Sequence, residues 1–378
     1  MTPGEVDRWV RLLRQGGSSD SAELPGLPLG PLRAWLSANV PALDFSIGLS
    51  ARLLTGGRSN LTYELIDASG RRFALRRPPL GHVMPKAHDM AREYRVLVGL
   101  GTTDFPVPGV HALCEDPGVI GAPFLLMDFV EGRVIADSDD ARPLSAEQAD
   151  ELSRTLVQGL ASLHGVDVAA AGLADFGRTQ GFLARQVTLW GRQWQITRTR
   201  DLADVQVIAQ WLHERARQQP SPAKSSLVHG DYRLDNVIVD PSLRSLRAVL
   251  DWEMSTLGDP VADLAITLVY WTEAGDGLRR TVPVAQDVTS GPGFWDRERV
   301  VAEYQTLTGA DLDHLQFGVV LACYKLAVIM ESIHFRSLAG QQRGAAAELG
   351  EDMGAAAEGL AAMGVEVIRR GTFEGLRA

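Results

Sequence analysis

The sequence contains very little cysteine and very little lysine. Cys114 and Cys323 are its two cysteines, and they lie too far apart for a metal-binding spacing or a disulfide framework. Lysine occurs only as Lys86, Lys224 and Lys325, although lysine and arginine together number 37. Arginine therefore supplies nearly all of the positive charge, and it is expected at sites where related proteins use lysine.

An excess of positive charge is absent as well. The formal net charge is −10, and no run of basic residues overrides it locally. Such a surface repels nucleic acid and anionic lipid, so neither is an expected partner. The first ten residues contain acidic side chains and no uninterrupted apolar stretch, and the late apolar run 317–330 is interrupted by Lys325. We therefore expect a cytoplasmic protein without a membrane partner.

The length and the pattern of the chain predict an α+β protein with two lobes. The 378 residues exceed one core of common size, and the apolar fraction of 45% is typical of globular proteins. Strand and turn patterns fill 51–76, one helical pattern follows at 86–100, and two further strand patterns precede residue 131. Helical periodicity then dominates, interrupted by short strands in 227–252. The predicted organisation is an N-terminal helical extension (1–48), a small antiparallel β-sheet N-lobe with one helix (49–131) and a mostly helical C-lobe (132–378).

One segment carries a pattern suited to phosphoryl transfer, the stretch HGDYRLDN at 229–236. Phosphoryl transfer needs a carboxylate to orient the attacking hydroxyl and oxygen ligands to hold Mg²⁺ on the phosphates. Asp231 fits the first role, whereas Asn236 and the later Asp251 fit the second. Because the chain has three asparagines in all, this pattern should arise by chance in about one chain in a thousand or fewer. The alternative is a hairpin in which Asp231 and Asn236 only cap turns.

The catalytic stretch resembles the aminoglycoside-phosphotransferase family, whose fold is that of the protein kinases. The segments LDWE at 250–253 and LGDPVADLA at 257–265 add to the resemblance. Within that family, REYRVL, GAPFLLMDFVEGRV and LDWEMSTLGDP look most like kinase-like domains fused to, or encoded beside, acyl-CoA dehydrogenases. The resemblance runs from about Ser50 to about Trp271. It implies a two-lobed kinase-like fold with ATP bound between the lobes.

The resemblance also implies roles for individual residues. Asp231 would be the catalytic aspartate, Asn236 and Asp251 would bind magnesium, and Arg233 would offset charge on the transferred group. The expected nucleotide-binding residues are Gly56, Gly57, Ser59 and Asn60 in a loop over the phosphates, Ala74 and Arg76 on strand three, Glu93 on the following helix, and Met127, Asp128 and Phe129 at the adenine. Taken alone, Gly56 and Gly57 are equally well explained as a hairpin turn.

Arg76 departs from the family pattern, because it stands where the ATP-binding lysine is expected. Arginine can grip phosphate oxygens, but its planar fork needs a different geometry. Glu93 lies where it could pair with Arg76, as the family's helix glutamate pairs with its lysine. The alternatives are a surface arginine on an edge strand and a solvated glutamate.

These patterns predict an ATP- and Mg²⁺-dependent phosphotransferase acting on an alcohol group of a small molecule. A catalytically silent ATP-binding relative and an interaction module built on the same fold are the other readings. No acidic cluster for a polycationic aminoglycoside can be assigned. The closest resemblance suggests a hydroxyacyl-CoA or a similar acceptor, and aromatic residues between 182 and 211 could line an apolar acceptor site or belong to the core. The sequence does not identify the acceptor or the oligomeric state.

Overall fold

The structure is a computed structural model that describes residues 24–45, 48–54, 60–80, 89–220, 226–283, 287–340 and 350–377. The chain divides into two compact units. Unit 1 contains the chain up to Glu131 together with Asp251–Glu253, and unit 2 contains Gly132–Leu250 and the chain from Met254 onward. A three-residue segment from late in the sequence therefore packs with the N-terminal part of the chain.

Unit 1 is built on a five-stranded antiparallel sheet. Its strands are β1 (Leu49–Leu53), β2 (Leu61–Asp67), β3 (Arg72–Arg77), β4 (Val110–Cys114) and β5 (Phe124–Asp128), and their order across the sheet is β1-β2-β3-β5-β4. Every neighbouring pair is antiparallel. The predicted small antiparallel sheet is therefore confirmed.

The alternation of side chains along β3 separates core residues from site residues. Phe73 and Leu75 belong to a buried apolar cluster that also contains Leu32 and Leu36 of α1 (Leu29–Asn39). Successive strand residues point to opposite faces of a sheet. Ala74 and Arg76 therefore lie on the face opposite to α1.

The β2–β3 turn fixes the register of this hairpin. The Asp67 carboxylate accepts hydrogen bonds from the backbone N–H groups of Ser69 and Arg71, both at 2.9 Å. Gly70 follows with a φ of +83°, a conformation that glycine adopts without steric cost. The resulting register places Arg76 opposite Thr62.

The helix of unit 1 next to the sheet is α2 (Met90–Leu100), and a short helix α3 (Pro117–Ile120) joins β4 to β5. The carboxylate of Asp89 caps the first turn of α2 by accepting the N–H of Arg92 at 3.0 Å. The buried face of α2 contains Val96, Leu97 and one acidic residue, Glu93. A buried carboxylate needs a partner, and Glu93 has one in the candidate site.

Unit 2 is mostly helical. Its helices are α4 (Ser138–Ala141), α5 (Ala146–Gly165), α6 (Phe182–Thr197), α7 (Ala203–Arg215), α8 (Pro260–Tyr270), α9 (Arg297–Thr308), α10 (Leu315–Leu338) and α11 (Gly350–Arg370). Local sequence signals begin two of them. Ser145 and Gln148 form a capping box at α5, and Asp259 caps α8 with proline at its first position. The helical periodicity predicted for this part of the chain is therefore confirmed.

Two short antiparallel ladders interrupt the helices of unit 2. In the first, β6 (Ser226–Val228) pairs with β9 (Thr256–Gly258). In the second, β7 (Val237–Val239) pairs with β8 (Leu246–Val249). The segment 229–236 connects the two ladders, so both of its ends are anchored in strands. The short strands predicted within 227–252 correspond to β6, β7 and β8, whereas β9 lies outside that range and was not predicted.

One described helix, α10, is long and apolar enough to cross a membrane by length and composition. It contains 24 residues, and 78% of its most apolar window is buried inside the protein. A core helix passes the same test, so this property alone is weak evidence for a membrane span.

Candidate functional site

The loop 229–236 is held in place by the carboxylate of Asp263 on α8. Asp263 accepts the backbone N–H of His229 at 2.6 Å and that of Gly230 at 2.7 Å. Burial by itself would raise the pKa of Asp263, but the neighbouring His164 and His229 together with these hydrogen bonds lower it. The loop is thus anchored to an ionised, buried carboxylate.

Gly230 adopts a backbone conformation that the loop requires. Its φ is +83°, and a Cβ atom at this position would lie 2.7 Å from the carbonyl oxygen of Met254. Both the left-handed conformation and the close approach favour glycine. The imidazole of His229 bonds to the carbonyl oxygen of Leu250 at 2.8 Å, so this side chain supports the loop and is not free for proton transfer.

The carboxylate of Asp231 is the most densely hydrogen-bonded group of the loop. Its Oδ1 accepts the hydroxyl of Tyr270 at 2.6 Å. Its Oδ2 accepts Nε of Arg233 at 3.1 Å and Nδ2 of Asn236 at 3.0 Å. Burial would raise the pKa of Asp231, but the charge of Arg233, the Tyr270 hydrogen bond and the charge of Lys325 lower it. Asp231 is therefore a carboxylate at neutral pH and can accept a hydrogen bond from a hydroxyl.

Arg233 is fixed beside Asp231 by a second carboxylate and an aromatic ring. Its Nη1 lies 2.7 Å from Oδ2 of Asp235, and its guanidinium carbon lies 5.0 Å from the centre of the Tyr270 ring. Burial would lower the pKa of Arg233, but Asp231 and its other neighbours raise it. The structure therefore brings the two predicted catalytic residues together as a charged pair.

The side-chain amide of Asn236 is oriented by the same loop. Its Nδ2 donates to the main-chain carbonyl of Asp231 at 2.9 Å in addition to the carboxylate. With the nitrogen directed at Asp231, the amide oxygen is directed away from it. An oxygen in that orientation is the atom that a magnesium ion requires.

In unit 1, Arg76 pairs with two carboxylates. Its Nε lies 3.0 Å from Oε1 of Glu93, and its Nη2 donates to Oδ1 of Asp251. The Arg76 side chain is 9% exposed and the Glu93 side chain 2%, so neither is the solvated surface residue that the alternatives described. Burial would lower the pKa of Arg76, but Glu93 and Asp251 raise it, so the guanidinium stays charged.

Asp251 itself has an unusual backbone. Its φ is +65°, in the left-handed region that residues other than glycine, asparagine and aspartate rarely adopt. The adjacent Trp252 is fully buried and meets the ring of Phe105 edge-on at 6.0 Å. This buried tryptophan holds the segment 251–253 in unit 1 and fixes where the Asp251 carboxylate lies.

Asn60 contacts the same segment. Its Nδ2 donates to Oε2 of Glu253 at 2.9 Å, whereas its buried Oδ1 has no hydrogen-bond partner among the residues that the structure describes. A buried polar atom without a partner is costly, and a ligand group can supply the missing bond. The other residues predicted for the phosphate loop, Gly56, Gly57 and Ser59, lie outside the described residues.

The residues predicted to contact adenine lie on β3, on β5 and just after β5. Ala74 stands opposite Met127 in the ladder, and Phe73 stands opposite Asp128. The N–H of Asp128 donates to the carbonyl of Gly109 at 2.8 Å. The ring of Phe129 packs under the guanidinium of Arg72 at 3.8 Å. Their role at adenine stays a prediction.

The donor atoms fit magnesium better than a transition metal. Among the residues that the structure describes, no group of three or more histidine, cysteine, aspartate or glutamate side chains could hold a metal ion. Magnesium prefers oxygen ligands and is usually bound by one or two protein carboxylates plus the phosphates of a substrate. Asn236 of unit 2 and Asp251 of unit 1 each offer an oxygen atom, so each residue by itself suits that ion, and their joint role as ligands stays a prediction.

Two residues of the site were missed by the sequence interpretation. Tyr270 bonds to Asp231, and Nζ of Lys325 on α10 donates to the carbonyl oxygen of Gly230 at 2.5 Å. A signal for Tyr270 existed, because it lies seven residues after Asp263 and two helical turns place both on one face of α8. The signal for Lys325 was its occurrence as a cation in an apolar helical run.

Comparison with known proteins identifies the family of the chain. A family model described as APH, phosphotransferase enzyme family, matches residues 50–300. Acyl-CoA dehydrogenase family member 11 of Gallus gallus is 32% identical over 359 residues, which make up 94% of this chain and 43% of that protein. The chain therefore spans less than half the length of this relative.

Two solved structures show the same fold. A candidate aminoglycoside phosphotransferase from Ralstonia eutropha JMP134 matches with a TM-score of 0.72 and 31% identity, covering 90% of this chain and 98% of that one. Aminoglycoside phosphotransferase APH(4)-Ia, solved in a ternary complex with AMP-PNP and hygromycin B, matches with a TM-score of 0.57 over 90% of this chain and 98% of its own. At 15% identity the second likeness concerns the fold alone. The chain belongs to the APH phosphotransferase family and has its kinase-like α+β fold.

Proposed function

We propose that this protein transfers the γ-phosphoryl group of Mg-ATP to a hydroxyl group of a small molecule. The observation that carries the proposal is the environment of Asp231, a partly buried carboxylate that stays ionised and accepts hydrogen bonds from Tyr270, Arg233 and Asn236. A carboxylate so restrained can orient an attacking hydroxyl in one direction. Orientation and electrostatic stabilisation are most of what phosphoryl transfer asks of a protein.

The proposed step uses this carboxylate as follows. The acceptor hydroxyl donates its hydrogen bond to Asp231, and its oxygen forms a bond to the γ-phosphorus. The bond from that phosphorus to the oxygen bridging to the β-phosphate breaks, and ADP leaves with the electron pair. The proton passes to Asp231 and then to solvent. Because its pKa is lowered, Asp231 takes the proton only as the new bond forms. Arg233 offsets charge on the transferred group.

The proposed nucleotide contacts follow from the pairs found in unit 1. Arg76 supplies a cation for phosphate oxygens and is held in place by Glu93. An arginine–glutamate pair thereby replaces the lysine–glutamate pair of the family. Asp251 and Asn236 would supply oxygen ligands to magnesium, which neutralises charge on the phosphates. The buried side-chain oxygen of Asn60 has no partner within the described part of the chain and suits a contact with the nucleotide beside the predicted loop of Gly56, Gly57 and Ser59.

A second candidate is a nucleotide-binding protein without transfer activity. The specific observation in its favour is that Arg76, which replaces the expected lysine, donates directly to Asp251, a residue that magnesium would need. A protein of this kind would bind Mg-ATP and leave every acceptor unmodified. A protein that served only as an interaction module would not need the restrained carboxylate of Asp231.

We propose that the acceptor is a hydroxylated acyl thioester or a related hydroxy acid. We also propose that the protein acts in the cytoplasm. Support for this acceptor comes from the similarity to a protein named as an acyl-CoA dehydrogenase family member. The test is transfer from ATP labelled in the γ-phosphate to a panel of hydroxyacyl-CoA thioesters, sugars, macrolides and aminoglycosides. Labelling of the hydroxyacyl compounds supports the proposal. Labelling of aminoglycosides alone contradicts the acceptor class, and Mg-dependent ATP binding without any labelling favours the silent protein.

A further inference from the structure

Lys325 places a positive charge next to the catalytic carboxylate. Its Nζ donates to the carbonyl oxygen of Gly230 at 2.5 Å, and Gly230 immediately precedes Asp231. The side chain is partly exposed, and Lys325 is the one lysine within the described parts of the chain. Any acceptor whose hydroxyl reaches Asp231 therefore approaches an ammonium group whose charge also acts on that carboxylate.

The indole ring of Trp190 lies beside the ammonium group of Lys325. Nζ of Lys325 lies 5.6 Å from the centre of the Trp190 ring, and the ring is partly exposed. Trp190 Nε1 donates to Gln186 at 3.1 Å, so the polar edge of the indole is used and its apolar faces remain. The same faces of α6 and α10 meet again two turns later, where Thr197 and Ser332 bond at 2.9 Å. This packing fixes the position of Trp190 relative to Lys325.

Support of the loop does not fully account for Lys325. An ammonium group has three donors, and Gly230 accepts one of them. Over the residues that the structure describes, no carboxylate lies within ion-pair distance of Nζ, although Asp231 and Asp263 act on it through space. Placing a charged side chain in an otherwise apolar stretch of α10 costs desolvation free energy. A neutral donor would be sufficient to make one hydrogen bond to the carbonyl of Gly230. The two remaining donors of the ammonium group are suited to a ligand.

We propose that Lys325 and Trp190 form the acceptor-recognition site, and that this site selects a hydroxy compound with an acyl oxygen near the hydroxyl and an apolar chain. The inference rests on the proposed function, since it places the acceptor at Asp231. The acyl oxygen, from a carboxylate or from a thioester carbonyl, accepts the free donors of Lys325. The chain packs on the indole of Trp190. A polycationic acceptor such as an aminoglycoside is disfavoured here, because its ammonium groups would meet a like charge.

The experiment uses acceptors that share one carbon chain and differ at one end. They are β-hydroxyoctanoate, its pantetheine thioester, its primary amide and the corresponding amino alcohol. Binding of each to the full chain is measured by calorimetry with Mg²⁺ and AMP-PNP, and transfer is measured separately with ATP. We expect the carboxylate or the thioester to bind at least about tenfold more tightly than the amino alcohol. Tighter binding of the carboxylate than of the thioester identifies a free hydroxy acid as the acceptor. Tighter binding of the thioester identifies a hydroxyacyl thioester.

Three variants separate recognition from support of the loop. Lys325→Met should abolish the discrimination between anionic and cationic acceptors, Lys325→Arg should restore it, and Arg192→Met, on the exposed side of α6, should leave it unchanged. A purely structural lysine would lower the affinity for all four compounds equally, and that result overturns the inference. So does a wild-type protein that binds the amino alcohol as well as the others, or that binds none of them.

The binding measurement keeps this inference distinct from the proposed function. If the wild type binds the acyl compounds selectively through Lys325 but transfers no phosphate, the recognition site stands and the proposed reaction fails. If phosphate is transferred with equal efficiency to the acid and the amino alcohol, the reaction stands and the role of Lys325 is rejected. Thermal unfolding of Lys325→Met confirms that the variant is folded.

Discussion

The hydroxyl of Tyr270, at the last residue of α8, donates a 2.6 Å hydrogen bond to Oδ1 of Asp231. The two residues are separated by 39 positions in the sequence, and α8 is anchored to the same loop at its first turn through Asp263. One helix therefore positions both the backbone of the catalytic loop and the carboxylate that it carries.

Tyr270→Phe removes this bond and changes the pH dependence of the reaction. The bond lowers the pKa of Asp231, so its loss should raise that pKa. The activity of the wild type should persist as pH falls through the usual range for a carboxyl, and the acid limb of the variant should move to higher pH. We expect a decrease in kcat of about tenfold at neutral pH, the value of one hydrogen bond to a charged group. Profiles of kcat against pH provide the measurement, and superimposable acid limbs would contradict this role for Tyr270.

Arg76→Ala should weaken both nucleotide binding and stability. It leaves the buried Glu93 without its cation, and breaking a buried pair costs about 3 kcal/mol or more of unfolding free energy. Arg76→Lys keeps the charge and should bind Mg-ATP within about tenfold of the wild type. Urea unfolding and Mg-ATP titration of both variants test this, with the exposed Arg71→Ala as the control. Unchanged affinity for Mg-ATP and unchanged stability in Arg76→Ala would show that Arg76 neither binds the nucleotide nor stabilises the buried Glu93.

Gly230→Ala tests the shape of the catalytic loop. The added Cβ would lie 2.7 Å from the carbonyl oxygen of Met254, and the φ of +83° is unfavourable for alanine. Gly172 has a similar φ of +68° but open space around it, so Gly172→Ala measures the backbone cost alone. We expect Gly172→Ala to cost about 1 kcal/mol and Gly230→Ala to cost about 1–3 kcal/mol more. Equal midpoints of thermal unfolding would show that the loop can shift away from Met254.

The sequence was sufficient for the fold and for the residues of the motif, but not for contacts that join distant segments. The antiparallel sheet, the alternation on β3 and the Arg76–Glu93 pair follow from local periodicity combined with the family resemblance. Lys325 meets Gly230 across 95 positions, and no local pattern encodes such a contact. Strand β9 pairs with β6, which lies in a distant part of the sequence, so this pairing is not visible in the local pattern. The Lys325–Gly230 contact and the β6–β9 pairing form only when α8, α10 and the two ladders pack together in the folded protein.

Asp231 is the residue on which the proposed reaction depends, and the most direct measurement is transfer of labelled phosphate from Mg-ATP to the preferred acceptor by the Asp231→Asn variant. Asn keeps the size of the side chain and removes its charge. The matched control is Asp201→Asn, a change at an exposed aspartate of the same unit. We predict that Asp231→Asn binds Mg-ATP like the wild type and loses about a hundredfold or more in kcat, whereas Asp201→Asn retains wild-type turnover. Wild-type turnover in Asp231→Asn would contradict the account.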